Sequence, residues 1–389
     1  MNNETRKETQ VLPKDVRYVG ADDLTLPLFE NQYPVQPMGV SYNSYLILDE
    51  KIAVMDSVDA RAADEWLAKL AHELDGRSPD YLVISHMEPD HSGSILRLAE
   101  KYQEMKLVGN TKTFTMLRQF FGAKAPTDDR LLEVGEGETL PLGAHTLHFM
   151  LAPMVHWPEV MVAYEETEKL LFSADAFGRF GALSRTAGAP WAPQARRYYY
   201  NIVGKYGAQV QALLKKASAL EIKTVCPLHG PVLTGEALGE ALRLYDLWSR
   251  WQSESPDDIL LAHASIHGNT ARAAELFKQK LEAKGARVTL CDLTTTEVSY
   301  AVANAFCCGK LVLACSTYDG GLFPPMEEFL SHLQAKGFRD RSVGLMENGS
   351  WAPAAARLMR AKLEEMKDLR VCGTVVSLRS ALSPASEAQ

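Results

Sequence analysis

In the last third of the chain, short apolar runs alternate with amphipathic stretches. After the polar stretch QSESPDD come ILLAHA, a glycine-containing turn and NTARAAELFKQKLEAKG, in which Ala274, Phe277 and Leu281 recur at helical spacing. RVTLCD, KLVLACS, SVGLMEN and VCGTVVSL then read as short buried strands, with helix-like segments between them. Five strands alternating with helices over roughly 130 residues predict a doubly wound parallel sheet. QSESPDD becomes the linker, dividing the chain into a unit of residues 1–252 and one of 258–389.

The pattern before the linker differs. VSYNSYLILDE and KIAVMD alternate like strands paired about a turn. Helix-like ARAADEWLAKLAHEL and strand DYLVIS follow. Further on come HTLHFML, VMVAYEE and KLLFSAD, then a helix, the strand IKTVC and PLHGP. Strands with interspersed helices predict an α/β sandwich whose site lies at strand ends. No internal repeat or low-complexity tract is present. Roughly the first 15 residues and the SPASEAQ tail are expected to be mobile.

Composition narrows the function. A chain of 389 residues exceeds one ordinary core, and 23% charged with 46% hydrophobic residues fits a soluble globular protein. A net charge of -8 and a pI near 5.8 argue against a nucleic-acid partner. No apolar run approaches the roughly 18 residues that span a bilayer, so no membrane partner is expected. MNNETRKETQVLPKDV lacks the apolar stretch of a secretory signal, and a cytoplasmic protein is expected. The six cysteines form no C-x-x-C pair, which excludes a rubredoxin-like iron site or zinc ribbon. They read as buried, reduced thiols.

The chemistry concentrates in ISHMEPDHSGS. His86, Glu88, Asp90 and His91 fall within six residues just after a strand. Four metal-binding side chains this close are costly unless a cation sits among them. Alternate residues leaving a strand can turn toward one point, whereas Asp90 and the adjacent His91 more naturally reach a second. The spacing therefore suggests two metals. His156 in APMVHWPEV, Asp175 in LLFSADAFG and His229 in VCPLHGP also end strands. Each alone would be an ordinary turn or capping residue.

Together, H-x-E-x-D-H and the later histidine, aspartate and histidine resemble the metallo-β-lactamase superfamily. Glu88, with HWPE, LFSADAFG and HGP, resembles more specifically the flavodiiron proteins, over nearly the whole chain. That resemblance implies an N-terminal metallo-β-lactamase-like αββα sandwich followed by a flavodoxin-like parallel five-stranded sheet. It further implies that His86, Glu88 and His156 bind one iron, Asp90, His91 and His229 the other, and that Asp175 bridges them. The donor chemistry independently favours iron. Hydrolytic relatives have histidine where Glu88 stands, and nitrogen-rich sites suit zinc, whereas a hard anionic oxygen stabilises ferric iron. Glu88, Asp90, Asp175 and one hydroxide would balance two ferrous ions.

ASIHGNT resembles the flavodoxin phosphate loop, implying that Ser265, Ile266, His267, Gly268, Asn269 and Thr270 hold the phosphate of FMN. Taken alone, it could equally be an ordinary βα turn. Two more loops are expected at the same sheet edge. STYDGG supplies Ser316, Thr317, Tyr318, Asp319, Gly320 and Gly321, and ENGSW supplies Asn348, Gly349, Ser350 and Trp351. Tyr318 or Trp351 could pack on the flavin ring. No G-x-G-x-x-G occurs in a dinucleotide-binding context.

The resemblance implies reduction of O2 to water, of NO to N2O, or both. Two ferrous ions and reduced FMN hold the four electrons that O2 requires. It also implies a separate electron donor, such as a rubredoxin or a reductase, and a head-to-tail homodimer or a tetramer. Two rivals stand beside it: a dinuclear metal hydrolase, and a flavodoxin-type carrier with a docking domain. Within Tyr198, Tyr199 and Tyr200, one phenol could face the pocket as a donor, although packing explains such a run equally well.

Overall fold

The computed structural model describes residues 11–389, so most of the N-terminal stretch expected to be mobile lies outside the described residues. These residues divide into two compact units. One runs up to Tyr199 and includes Ala208–Asp246, and the other comprises Tyr200–Gly207 and Leu247–Gln389.

The first unit holds two six-stranded sheets. One runs in the order Val16–Tyr18, Tyr45–Ile47, Ala53–Met55, Tyr81–Val83, Lys106–Gly109 and Leu131–Glu133. The other runs Thr139–Pro141, Thr146–Leu151, Met161–Glu165, Leu170–Phe172, Thr224–Cys226 and Leu233–Thr234. Tyr45, Ile47, Met55 and Val83 of the first join Leu147, Phe149, Met161 and Phe172 of the second in one buried cluster. Central strands are buried on both faces, which explains their nearly continuous apolar sequence. The helix Ala63–Leu74 buries Trp66, Leu70 and Leu74 as a stripe. The architecture is an αββα sandwich.

VSYNSYLILDE does not form one strand. Val40–Tyr42 pairs with Ala21–Asp23, whereas Tyr45–Ile47 pairs with Ala53–Met55. The break falls at Asn43, whose amide donates to Pro227 O at 2.8 Å and Gly230 O at 2.7 Å. A long-range side-chain interaction thus replaces local strand continuity.

In the second unit, five parallel strands run Val288–Asp292, Ser255–Ala264, Cys308–Tyr318, Ser342–Asn348 and Arg370–Leu378. This is the flavodoxin-like order, in which the first strand lies between the second and third. The first strand opens at Ser255, inside the stretch expected to be linker, because Ser255 pairs with Cys308. The tail also departs from expectation. Pro384–Ala388 is a short helix with a capping box at Ser383, and Gln389 accepts a hydrogen bond from Ser377 N at 2.9 Å.

A hairpin staple stiffens the sandwich. Asp49 Oδ2 accepts from His145 N at 2.7 Å and lies 2.8 Å from His145 Nδ1, while Oδ1 accepts from Glu50 N. Gly143, at φ +136°, permits the approach, since a Cβ there would lie 2.5 Å from Asp49 Oδ1. Burial alone would raise Asp49, but these hydrogen bonds bring it from 3.8 down to about 2. A depressed carboxyl contributes stability above its unfolded pKa and loses it as pH falls through the folded one. Asp49→Asn should therefore cost about 1–2 kcal/mol at neutral pH. In urea denaturation, the gap from the parent protein should close between about pH 4 and pH 2; a gap that persists at pH 2 would contradict the assignment.

Candidate metal centre and flavin cavity

Three strand ends converge on one pocket. His86, Asp175 and His229 each lie three residues beyond the strands Tyr81–Val83, Leu170–Phe172 and Thr224–Cys226. His156 comes from the loop between Thr146–Leu151 and Met161–Glu165. Pro89–Ser92 is a helical turn rather than a loop, with proline at its first position. Successive helical residues diverge by about 100°, which separates Asp90 from His91.

The structure brings all seven sequence-identified residues together in two groups. His86, Glu88, His156 and Asp175 offer donor atoms within 4.8 Å of one another, as do Asp90, His91 and His229. Asp175 faces both groups. Its Oδ2 lies 3.4 Å from His86 Nε2 and 3.0 Å from His156 Nε2. Its Oδ1 lies 3.2 Å from His91 Nε2 and 3.7 Å from His229 Nε2.

The outer contacts set the ring orientations. Glu159 Oε1 accepts from His86 Nδ1 at 2.8 Å and from Met87 N at 2.9 Å. Ser41 O accepts from His229 Nδ1 at 2.6 Å. With Nδ1 donating outward, each imidazole presents an Nε2 lone pair to the pocket. Asp56, at φ +56°, accepts from Ser85 N at 2.7 Å and orders the entry to the metal loop. Burial pushes its carboxyl up to about 6. Glu159 and Asp56 were missed as site residues in the sequence, although HWPE contains the former and an acid closing the run KIAVMD signals the latter.

The donor set fits cations. Both oxygens of Asp90, Oδ1 of Asp175 and Nδ1 of His91 are buried without hydrogen-bond partners. His91 Nε2 and His229 Nε2 face each other at 3.1 Å, a contact that neutral acceptor nitrogens would not choose unaided. Burial would lower His86, yet Asp175, Glu159 and Glu88 hold it well above its ordinary value. Burial would likewise lower His156, but Asp175 and Glu88 raise it to about 9. Asp175 is held well below the usual carboxylate range, its burial outweighed by His91, His86 and His156. Metal ions would replace these protons.

The three tyrosines separate. Tyr198 lies 5.6 Å, ring to ring, from His229, and its buried hydroxyl has no hydrogen-bond partner. Tyr199 packs on Tyr245, whereas Tyr200 stacks on Phe306 in the second unit at 4.0 Å.

In the second unit, a cavity of about 650 Å³ lies at the strand ends. It is lined by Ser265, Ile266, His267, Asn269, Thr270, Ser316, Thr317, Tyr318, Asp319, Gly320, Asn348, Gly349, Ser350 and Trp351. Ala352 and Ser380, which the sequence reading did not single out, line it too, while Gly268 and Gly321 do not. Gly268, at φ +85°, caps the helix Asn269–Glu282 and donates to Ser265 Oγ at 3.1 Å. A glycine in this conformation aims backbone N–H groups toward an anion at the helix start. Trp351 is 88% exposed, a large apolar face suited to covering a flat ring.

A family model described as "ODP family beta lactamase" matches residues 40–230. The crystal structure of the flavodiiron protein from Giardia intestinalis superposes with a TM-score of 0.89 at 26% identity, covering 97% of this chain and 93% of that one. The chain is similar to the flavodiiron proteins over nearly its whole length. Among its relatives, the rubredoxin-oxygen oxidoreductase of Megalodesulfovibrio gigas is 27% identical over 358 residues, 90% of this chain and 87% of that protein. The nitric oxide reductase of Moorella thermoacetica is 27% identical over 361 residues, 90% of this chain and 88% of that protein. The chain spans only about half the length of the diflavin flavoproteins that it also matches.

Glu159 should act by orienting His86. Glu159→Gln is expected to weaken metal affinity by about 10–100-fold while leaving the fold intact. Chelator competition reads this directly, and unchanged metal retention would remove the positioning role.

Proposed function

We propose that this chain reduces O2 to water, NO to N2O, or both, at a non-haem diiron site fed by FMN. The observation carrying this reading is Asp175, which turns one oxygen to each of two histidine-carboxylate trios. His86, Glu88 and His156 would hold one iron and Asp90, His91 and His229 the other, with Asp175 across both. Glu88 adds the hard anionic donor that favours iron over zinc. Bound there, the irons supply binding and reduction of a diatomic ligand, with FMN as the electron source. Burial and the nearby Asp175, Asp90 and Glu88 push Tyr198 well above its ordinary value. It stays protonated and can donate a hydrogen bond.

Ser265 to Thr270 would cradle the FMN phosphate, with Tyr318 and Trp351 beside the ring. The Megalodesulfovibrio relative's name pairs that protein with rubredoxin. We infer a separate carrier for this chain too, which has no C-x-x-C iron site of its own. Cytoplasmic placement accords with six cysteines that form no disulfide and with no helix, among the described residues, long and apolar enough to cross a membrane. The two sites belong to different compact units. A head-to-tail homodimer would let each flavin serve its partner's metal pair, since a two-fold axis repeats one contact to complete both sites.

Purified protein should carry about two irons and one FMN per chain. When fully reduced, it should be reoxidised by O2, by NO or by both in stopped-flow mixing. Zinc as the activity-supporting metal would sink this reading. Gly268→Val should evict FMN and spare the iron, because a β-branched residue cannot comfortably hold the left-handed backbone, φ +85°, that starts the helix at the phosphate loop. Full FMN occupancy in that variant would misplace the loop.

Assembly has its own test. Asp175→Ala should lose the metal pair and Gly268→Val the flavin. A purified mixed dimer keeps one intact set and should recover up to roughly half the activity. Inactive heterodimers of folded subunits would rule out the head-to-tail arrangement.

A further inference from the structure

The cavity of the second unit has a wall beyond its three sequence-identified loops. Ser380, two residues past the last strand, Arg370–Leu378, also lines it. The turn that carries Ser380 is fixed against the loop that carries Trp351. Asn348 Nδ2 donates to Ser380 O at 2.9 Å, and Ser380 N donates to Asn348 Oδ1 at 3.0 Å. Gly349 N donates to Leu378 O at 3.2 Å, and Arg379 Nη1 donates to Trp351 O at 3.2 Å.

Ser380 stands where glycine would be the easier choice. Its φ of +68° lies in the left-handed region, which disfavours any residue with a Cβ. The side chain is nevertheless present, and its hydroxyl lies 2.6 Å from that of Ser350. One of the two hydroxyls donates to the other, so the accepting one keeps a hydrogen of its own to give. Among the described residues, neither hydroxyl has a further hydrogen-bond partner. Both serines line the cavity, so the pair has a donor to offer an occupant.

Position in the sheet decides which end of an occupant the pair meets. Ser255–Ala264, Cys308–Tyr318, Ser342–Asn348 and Arg370–Leu378 are successive neighbours. With strands about 4.8 Å apart, the last stands three spacings, roughly 14 Å, from the strand that leads into Ser265–Thr270. A flavin anchored there by its phosphate reaches the far wall only with its ring. We propose that Ser380, paired with Ser350, is a hydrogen-bonding contact for the polar edge of the flavin ring. This rests on the FMN reading above. The carbonyl oxygens and unprotonated nitrogens of that edge are the acceptors such a donor suits.

The probes are FMN and riboflavin, titrated into the full chain freed of flavin and followed by quenching of flavin fluorescence. Ser380→Ala removes the hydroxyl. Ser380→Gly removes it too and also suits the left-handed backbone, so the turn itself is not put at risk. Both variants should bind FMN about three- to tenfold more weakly than the parent protein, the effect of one neutral hydrogen bond. Riboflavin, which has the ring but no phosphate, should weaken by the same factor. Parent-like affinity for both flavins in the two variants overturns the contact. Parent-like affinity in Ser380→Gly alone overturns it as well, because the hydroxyl would then be dispensable. A loss confined to FMN would put the hydroxyl at the phosphate end and overturn the ring assignment. A parent protein that binds neither flavin overturns the FMN reading itself, an outcome distinct from these.

Discussion

The organising constraint of the first unit is electrostatic: three carboxylates and four imidazoles converge where water barely reaches. Carboxylates buried in that way are tolerable only with opposite charge among them. Protons can supply part of it, as the elevated His86 and His156 indicate. They leave Asp90 and one oxygen of Asp175 without donors. Divalent ions satisfy every donor at once, so the pocket is better matched to metal than to protons.

The sandwich meets this demand by rigidity. Donors stand a fixed distance past the ends of strands buried on both faces, where the backbone has little freedom. Ser41 within a strand, and Asn43 and Asp56 just past strand ends, tie His229 and the metal loop to the same frame. The flavin cavity is built on a different principle. Its lining is dominated by hydroxyls, amides and backbone groups, with Asp319 and His267 its only acid and its only imidazole. Many oriented dipoles of this kind can hold an anionic phosphate without a dedicated cation.

Much of this was legible along the chain. The identity, order and spacing of all seven donors stand in the sequence. So do the strand-helix alternation of the second unit and the three loops that line its cavity. Local errors had local causes. The polar residues before ILLAHA extend a strand because Cys308 offers Ser255 a partner, and the apparent single strand through Asn43 breaks because distant carbonyls claim its side chain. Neither partner is visible in a window of ten residues.

The sequence by itself determined which side chains are available, because periodicity and motif spacing follow from the geometry of a few consecutive residues. Only tertiary structure decided how they combine. Glu159 orients His86 from 73 positions away, His91 meets His229 across 138, and Ser41 holds His229 across 188. Those encounters depend on how two sheets stack and in what register, which no local pattern encodes. The two-sided environment of Asp175 and the hydrogen bond from Ser85 N to Asp56 belong to the same class. Each is an ordinary acidic residue until the fold chooses its neighbours.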